Sequence, residues 1–269
     1  MAFDLRKVPC TDILDRVEKA LDAGLDRKNE VRKRRSVGLR TDRETWIRIE
    51  ARPIEKLDGQ GWGIEAAALL RDVAMPAWRQ GLSWWDSDRD VMWRADETDL
   101  VTDPPVKPGG ILTIDPDLAD SWWTTFSASL DALAAHTTRR VAVTQERVTA
   151  GIHRIFPDVD PTVDQWAVAH ADLAWANLTA PQCYFLDWED WGLAPRGYDA
   201  ASLWRESLAL PELAGRVQHE RAADLATRSG KVSQLYACAV ILHAGPDYAG
   251  PAFTPAQTAA GELAAQLRP

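Results

Sequence analysis

Asp172 and Asn177 stand five residues apart in the run His170-Ala171-Asp172-Leu173-Ala174-Trp175-Ala176-Asn177, and Asp187 follows ten residues later in Asp187-Trp188-Glu189. One carboxylate can receive a hydroxyl proton while an amide and a second carboxylate hold Mg²⁺. That set is what phosphoryl transfer needs beside a nucleotide, because the reaction depends on alignment and charge neutralisation more than on covalent chemistry. Hard oxygen donors also suit Mg²⁺. Asp172 is therefore the candidate base, and Asn177 and Asp187 are the candidate metal ligands.

Short rigid elements must aim these side chains. Val168-Ala169 precedes His170 as one apolar run, Tyr184-Phe185-Leu186 precedes Asp187 as another, and Thr179-Ala180-Pro181-Gln182 between them reads as a turn. The pattern predicts a hairpin with the chemistry at the ends of its two strands. An isolated H-x-D is weak, and it is this context of strand, loop and second carboxylate that gives it meaning.

At these residues the sequence resembles the aminoglycoside phosphotransferase and choline kinase-like family of small-molecule kinases, whose shared pattern is roughly H-G-D-x-x-x-x-N followed by a D-W-E or similar triplet. The resemblance implies an α+β, two-lobed protein kinase-like fold with a small β-rich N-lobe and a mainly helical C-lobe. It also implies ATP or GTP as co-substrate with Mg²⁺, and a small-molecule hydroxyl as acceptor. His170 would position the loop through a hydrogen bond. Asp199, in Pro195-Arg196-Gly197-Tyr198-Asp199, looks like the family's buried aspartate that braces that loop. Ala171 and Ala174 stand where the family usually has a glycine and often a histidine.

The first part of the chain departs from the pattern. A kinase-like N-lobe offers a strand lysine that meets the phosphates and pairs with a helix glutamate. No lysine occupies the expected strand. The nearest cation is Arg48, with Glu65 in Gly63–Leu70 as its expected helix partner. Arginine presents a planar fork in place of a compact ammonium, so the exchange is not conservative. No G-x-G-x-x-G precedes it, and Gly59-Gln60-Gly61-Trp62-Gly63 follows the strands, where it would shape the entry into the Glu65 helix. These departures keep open a second reading, a pseudokinase-like nucleotide-binding or scaffolding protein without efficient turnover.

Around the motif, Thr11 is placed to cap a helix with Ile13, Leu14, Val17 and Leu21 on one face, ended by Gly24. The basic run from Arg27 to Arg35 could attract phosphates or nucleic acid, and a solvated basic strand is the preferred reading. Residues 36–41 and 45–51 alternate as strands around Asp42-Arg43-Glu44. Val91–Asp96 reads as the last strand of the first lobe. The crossing is expected at Trp93 to Asp96, whose backbone would meet the adenine, which gives an N-lobe of residues 1–97 and a C-lobe of 98–269. Asp115-Pro116 would open a helix that runs down to His136, and a second from about Thr144 would stop before Pro157. Four helices fill the rest: 200–210, 211–228, 231–243 and 254–267. By the family's pattern the acceptor pocket would lie between Leu203 and His243, with Glu206, Glu212, Glu220 and Asp224 as acidic candidates.

Composition narrows the partners. A formal charge of −9 opposes nucleic acid as the main partner. No apolar run approaches the ~20 residues that span a bilayer, and the first residues lack a signal-peptide core, so a cytoplasmic protein with no membrane partner is expected. Cys10, Cys183 and Cys238 lie too far apart for a disulfide framework or zinc site. Most of the 13 tryptophans are expected to fill core positions.

Overall fold

The computed structural model of the protein describes residues 4–56, 60 and 62–268. The chain divides into two compact units, Met1–Leu69 with Pro76–Thr102, and Leu70–Met75 with Asp103–Pro269. Gly59 and Gly61 of the glycine-rich stretch lie outside the described residues.

The first unit opens with α1 (Thr11–Leu21). Five strands follow: β1 (Val31–Arg32), β2 (Ser36–Arg40), β3 (Thr45–Arg52), β4 (Trp78–Asp86) and β5 (Val91–Asp99), with the short α2 (Gly63–Ala67) between β3 and β4. They form one antiparallel sheet in the order β1-β2-β3-β5-β4. Alternation along β3 buries Ile47, Ile49 and Ala51 against Trp93 and Ala95 of β5 and against Ile13, Leu14, Val17 and Leu21 of α1. Each of these isoleucines contributes about 1.5–3 kcal/mol by burial. Between them, Arg48, Glu50 and Arg52 turn to the other face. Register places Arg48 opposite Asp96 and Glu50 opposite Arg94, so the second face carries a lattice of charge. Thr11 is the first residue of α1 and not its cap, and the helix ends on Asp22 in the left-handed region, before Gly24.

In the second unit, α3 (Asp120–Ala135) and α4 (Gln145–His153) precede β6 (Trp166–Ala169) and β7 (Gly192–Pro195). Six helices complete it: α5 (Tyr198–Glu206), α6 (Pro211–Glu220), α7 (Ala222–Leu225), α8 (Arg228–Ala244), α9 (Pro246–Ala249) and α10 (Phe253–Leu267). Helix α8 packs against α4, α5 and α10 and is buried on nearly all sides through Val232, Leu235, Tyr236 and Cys238, as a central helix must be. Thr144 caps α4 by accepting the Arg147 N–H. Asp115-Pro116 does not start a helix. Its carboxylate closes a turn onto the Asp117 N–H, and α3 begins at Asp120.

The expected hairpin is also corrected. β6 pairs with β7, aligning Val168 with Leu193 and Ala169 with Gly192, while residues 184–186 form no strand and meet residue 178 through a single bridge at Phe185. Gly192 also lets the segment around Val141 bridge to β7, since a Cβ there would lie 2.9 Å from the Ala142 nitrogen and the Arg140 carbonyl oxygen. No helix among the described residues is long and apolar enough to cross a membrane.

Candidate active site

β6 delivers the chain to His170, where the direction of the backbone reverses. Ala171 adopts φ 66°, a left-handed conformation in which a β-carbon is costly. Asp199, at the start of α5 and fully buried, stabilises this turn. Its two carboxylate oxygens accept the N–H of His170 at 2.7 Å and of Ala171 at 2.8 Å. Burial pushes the Asp199 carboxyl up from its ordinary range, opposed by His170, by these two N–H groups and by Arg221.

The loop so fixed presents Asp172 and then turns through Trp175–Asn177. The Asn177 side-chain nitrogen donates to the Asp172 carbonyl at 2.8 Å and to its carboxylate at 3.1 Å. With its N–H groups so used, the amide oxygen is the atom left to act as a ligand. Asp172 is exposed, yet partial withdrawal from water raises its carboxyl; His170 and the Asn177 amide oppose the rise, and the charges of Asp187 and Asp190 add to it.

Asp187 is brought to the same place by two bonds through its neighbour. The Leu186 N–H donates to the Asn177 carbonyl at 2.8 Å, and His170 Nε2 donates to the Leu186 carbonyl at 2.9 Å. Asp187 itself has φ 68°, so the chain turns sharply at the carboxylate. His170 is wholly buried, packed edge-on against Trp188 at 4.6 Å between ring centroids, and its Nδ1 has no hydrogen-bond partner among the described residues. Its Nε2 ties the end of β6 to the segment that carries Asp187. Glu189 and Trp191 are secured through their carbonyls by Arg140, at 3.1 and 3.0 Å.

Behind the loop runs a continuous aromatic stack. Trp122 packs on Trp175 at 6.0 Å and on Phe126 at 5.4 Å, Phe126 on Phe185 at 5.9 Å, and Phe185 on His170 at 6.2 Å. The indole N–H groups find acceptors, Trp122 on the Thr179 carbonyl at 2.7 Å and Trp175 on Ser207 at 3.1 Å. These tryptophans are core, and they stiffen the loop.

The donor set fits Mg²⁺. The charges of Asp187 and Asp190 both act on the Asp172 carboxylate beside an amide oxygen, and a divalent cation would relieve that repulsion. Among the described residues no group of three His, Cys, Asp or Glu could hold a metal unaided. A Mg²⁺ carried by one or two protein groups plus phosphate oxygens needs no such cage.

The candidates in the first unit are placed differently from expectation. Glu65 of α2 pairs with Arg94 of β5 at 3.0 Å, not with Arg48. Arg94 also holds Asp96 and lies over the ring of Trp62. Arg48 lies on the same sheet face, 3.8 Å from Glu50. Trp93 and Asp96 do not form a crossing segment. Both sit mid-strand in β5, whose backbone is paired with β3 on one side and β4 on the other and so cannot serve adenine. Trp93 is core, stacked on Trp84 at 6.1 Å, and Asp96 accepts the Trp78 indole N–H at 2.8 Å. Arg94 escaped the sequence reading, although it alternates with Asp96 along β5 and so had to share its face. Asp190 escaped as well, although it directly follows the D-W-E triplet. Of the acidic acceptor candidates, Glu206, Glu220 and Asp224 are engaged by Arg205, Arg216 and Arg196.

The sequence matches no family model and no curated protein. Its structure is similar to those of aminoglycoside phosphotransferases. Against the wild-type aminoglycoside 2'-phosphotransferase-IIIa, solved with GDP, the identity is 12%, the TM-score 0.57, and the match covers 95% of this chain and 98% of that one. Against aminoglycoside phosphotransferase APH(4)-Ia the values are 12%, 0.58, 96% and 98%. A thermostable mutant of the latter, solved with AMP-PNP and hygromycin B, gives 14%, 0.57, 96% and 98%. With a five-stranded antiparallel sheet followed by a helical unit that carries the aspartate loop, this chain has the kinase-like α+β fold of the aminoglycoside phosphotransferases.

Proposed function

We propose that this protein is a small-molecule kinase that moves the γ-phosphoryl group of ATP or GTP to a hydroxyl of its acceptor. The observation that carries the reading is the Asp172–Asn177 pair. A carboxylate fixed by a side-chain amide, with its proton affinity raised by partial burial and by Asp187 and Asp190, is a better acceptor for a hydroxyl proton than a free aspartate.

Asp172 takes the proton from the substrate hydroxyl as its oxygen approaches phosphorus, while Asn177 holds the carboxylate in line. Asn177 and Asp187 would hold Mg²⁺, which when bound supplies neutralisation of the phosphate charge. His170 and Asp199 touch no substrate in this scheme, and they fix the turn on which Asp172 stands. Arg48 is assigned to the triphosphate in place of the missing lysine, and Glu65 with Arg94 ties α2 to the sheet beside it. Alignment supplies most of the rate.

A second reading is favoured by one observation. Arg48 shares its face with Glu50 and is not the partner of Glu65, which suits a nucleotide-binding protein without efficient turnover. Thermal stability with ATP and GTP, with and without Mg²⁺, followed by phosphate release, tests both. A Mg²⁺-dependent shift with turnover supports the kinase, and a shift indifferent to Mg²⁺ with no turnover supports the second reading. No shift with either nucleotide would sink both.

A further inference from the structure

We propose that Arg147, Tyr198 and Tyr236 form an oxyanion site within the helical unit, which anchors a carboxylate or phosphate group of the acceptor. The inference rests on the kinase reading above and deepens it by naming the class of acceptor, a hydroxyl compound that carries an anionic group and not a polyamine.

Three helices of the second unit supply the three side chains, Arg147 from the first turn of α4, Tyr198 from the start of α5 and Tyr236 from the middle of α8. Gly151 lies one turn after Arg147, and a Cβ there would lie 2.4 Å from the Tyr236 ring. The bare backbone lets that ring lie along α4, where its hydroxyl meets Arg147. The Arg147 Nε donates to the Tyr236 hydroxyl at 3.3 Å, and the Tyr198 ring packs beside that of Tyr236 at 6.1 Å between centroids.

What the cluster lacks is an acceptor. Tyr236 accepts from Arg147 and keeps its own proton to give, because a hydroxyl is donor and acceptor at once. The Tyr198 hydroxyl, on a residue only 9% exposed, makes no hydrogen bond among the described residues. Burial and then Tyr236 push this hydroxyl up to about 12, so it remains a donor at neutral pH. The two terminal nitrogens of Arg147 likewise make no hydrogen bond or ion pair among the described residues. A buried donor left unpaired is costly, whereas an arginine fork beside two phenols suits the oxygens of a carboxylate or phosphate.

Position ties the cluster to the proposed base. The Val143 N–H, just before α4, donates at 3.0 Å to the Leu193 carbonyl shortly past Asp190, and Tyr198 directly precedes Asp199, which holds His170 and Ala171. The charge of Asp190 acts on Arg147 and on Asp172 alike. Elsewhere on these helices Glu206, Glu220 and Asp224 are engaged by arginines, which leaves them poorly suited to an acceptor built of ammonium groups.

Ligand-observed NMR titration of the full chain with glycerate, glycerol 3-phosphate, glycerol and glucosamine tests the assignment. At least one of the two anions should bind about tenfold or more tightly than glycerol and glucosamine, as hydrogen bonds to a charged group imply. Glycerate ahead of glycerol 3-phosphate would mark a carboxylate acceptor, and the reverse order a phosphate one. Arg147→Gln should remove the preference, and Arg147→Lys, which keeps the charge but not the fork, should weaken anion binding about tenfold. Tyr198→Phe with Tyr236→Phe should weaken it by about as much. Arg147 is exposed, so its variants decide the matter if the double tyrosine variant does not fold. Equal binding of anion and alcohol by wild type, glucosamine as the preferred ligand, or a preference that survives in Arg147→Gln would each overturn the inference. Calorimetry with MgATP separates the two readings. MgATP binding without an anion preference would overturn the inference alone, whereas an anion preference in a protein that binds no nucleotide would remove the acceptor role along with the kinase reading.

Discussion

The side-chain amide of Asn177 reaches back to Asp172 twice, at 2.8 Å to its carbonyl and 3.1 Å to its carboxylate. One residue therefore aims the proposed base and, through its remaining oxygen, offers a ligand for the proposed metal. The five-residue spacing of the motif is what lets a single turn of chain close on itself in this way.

Asp172→Asn should reduce phosphoryl transfer by at least about 100-fold while leaving nucleotide affinity nearly unchanged, because in the proposed scheme the carboxylate meets the hydroxyl and not the nucleotide. Single-turnover transfer and calorimetry check the two halves. The same variant bears on stability. The folded state raises the Asp172 carboxyl, so its ionisation opposes folding: the penalty is absent when pH lies below the ordinary carboxylate value and complete above the raised one. Melting without metal should show the variant stabilised at neutral pH, with the gain fading as the solution is acidified. A gain that grew in acid would reverse the sign of this argument.

Asp187→Ala should erase the Mg²⁺-dependent part of nucleotide stabilisation and spare the rest. Ligand at 100 times its dissociation constant stabilises by about 2.7 kcal/mol, so the lost fraction is measurable as a thermal shift. A variant whose shift still depends on Mg²⁺ would remove Asp187 from the metal site.

Asp199→Ala leaves the N–H groups of His170 and Ala171 without acceptors in a buried turn. An unsatisfied buried donor costs about 1–3 kcal/mol, so a loss near 3 kcal/mol in denaturant unfolding is expected. Asp199→Asn keeps one acceptor oxygen and should lose less. Equal losses would mean that the two bonds are not what holds the loop.

Arg94→Met and Arg48→Met should separate architecture from ligand binding. Arg94 is buried between Glu65 and Asp96, and its removal should destabilise the first unit by about 3 kcal/mol. Arg48 is partly exposed, and its loss should change stability little but weaken triphosphate binding more than nucleoside binding. Unfolding and calorimetry on both variants would show the reverse pattern if Arg94 were the phosphate contact.

Gly192→Ala should cost about 1–3 kcal/mol, since the added carbon meets backbone atoms of Arg140 and Ala142 that cannot swing aside. The measurement is unfolding by denaturant. A neutral result would mean that the segment around Val141 tolerates wider spacing from β7 than the structure shows.

The sequence by itself determined the features that depend on a few neighbouring residues. The helix face of Ile13, Leu14, Val17 and Leu21, the strands on either side of Asp42-Arg43-Glu44, and the helix start near Thr144 follow from local periodicity and turn chemistry, and all three stand in the structure. The Asp172–Asn177 contact was legible for the same reason, because the two residues meet within one turn. What the tertiary structure alone decided were pairings between distant segments. Tyr184–Leu186 looked like the partner of Val168-Ala169, but Gly192–Pro195 took that place, and the bare backbone at Gly192 lets the segment around Val141 lie against β7 as well. Glu65 was matched to Arg48 on charge alone, whereas the choice fell to Arg94, since the β3–β5 register sets Arg94 opposite Glu50 and within reach of α2. A strand pattern shows which residues share a face, but only the register, fixed by side chains packing across the whole sheet, shows which of them touch.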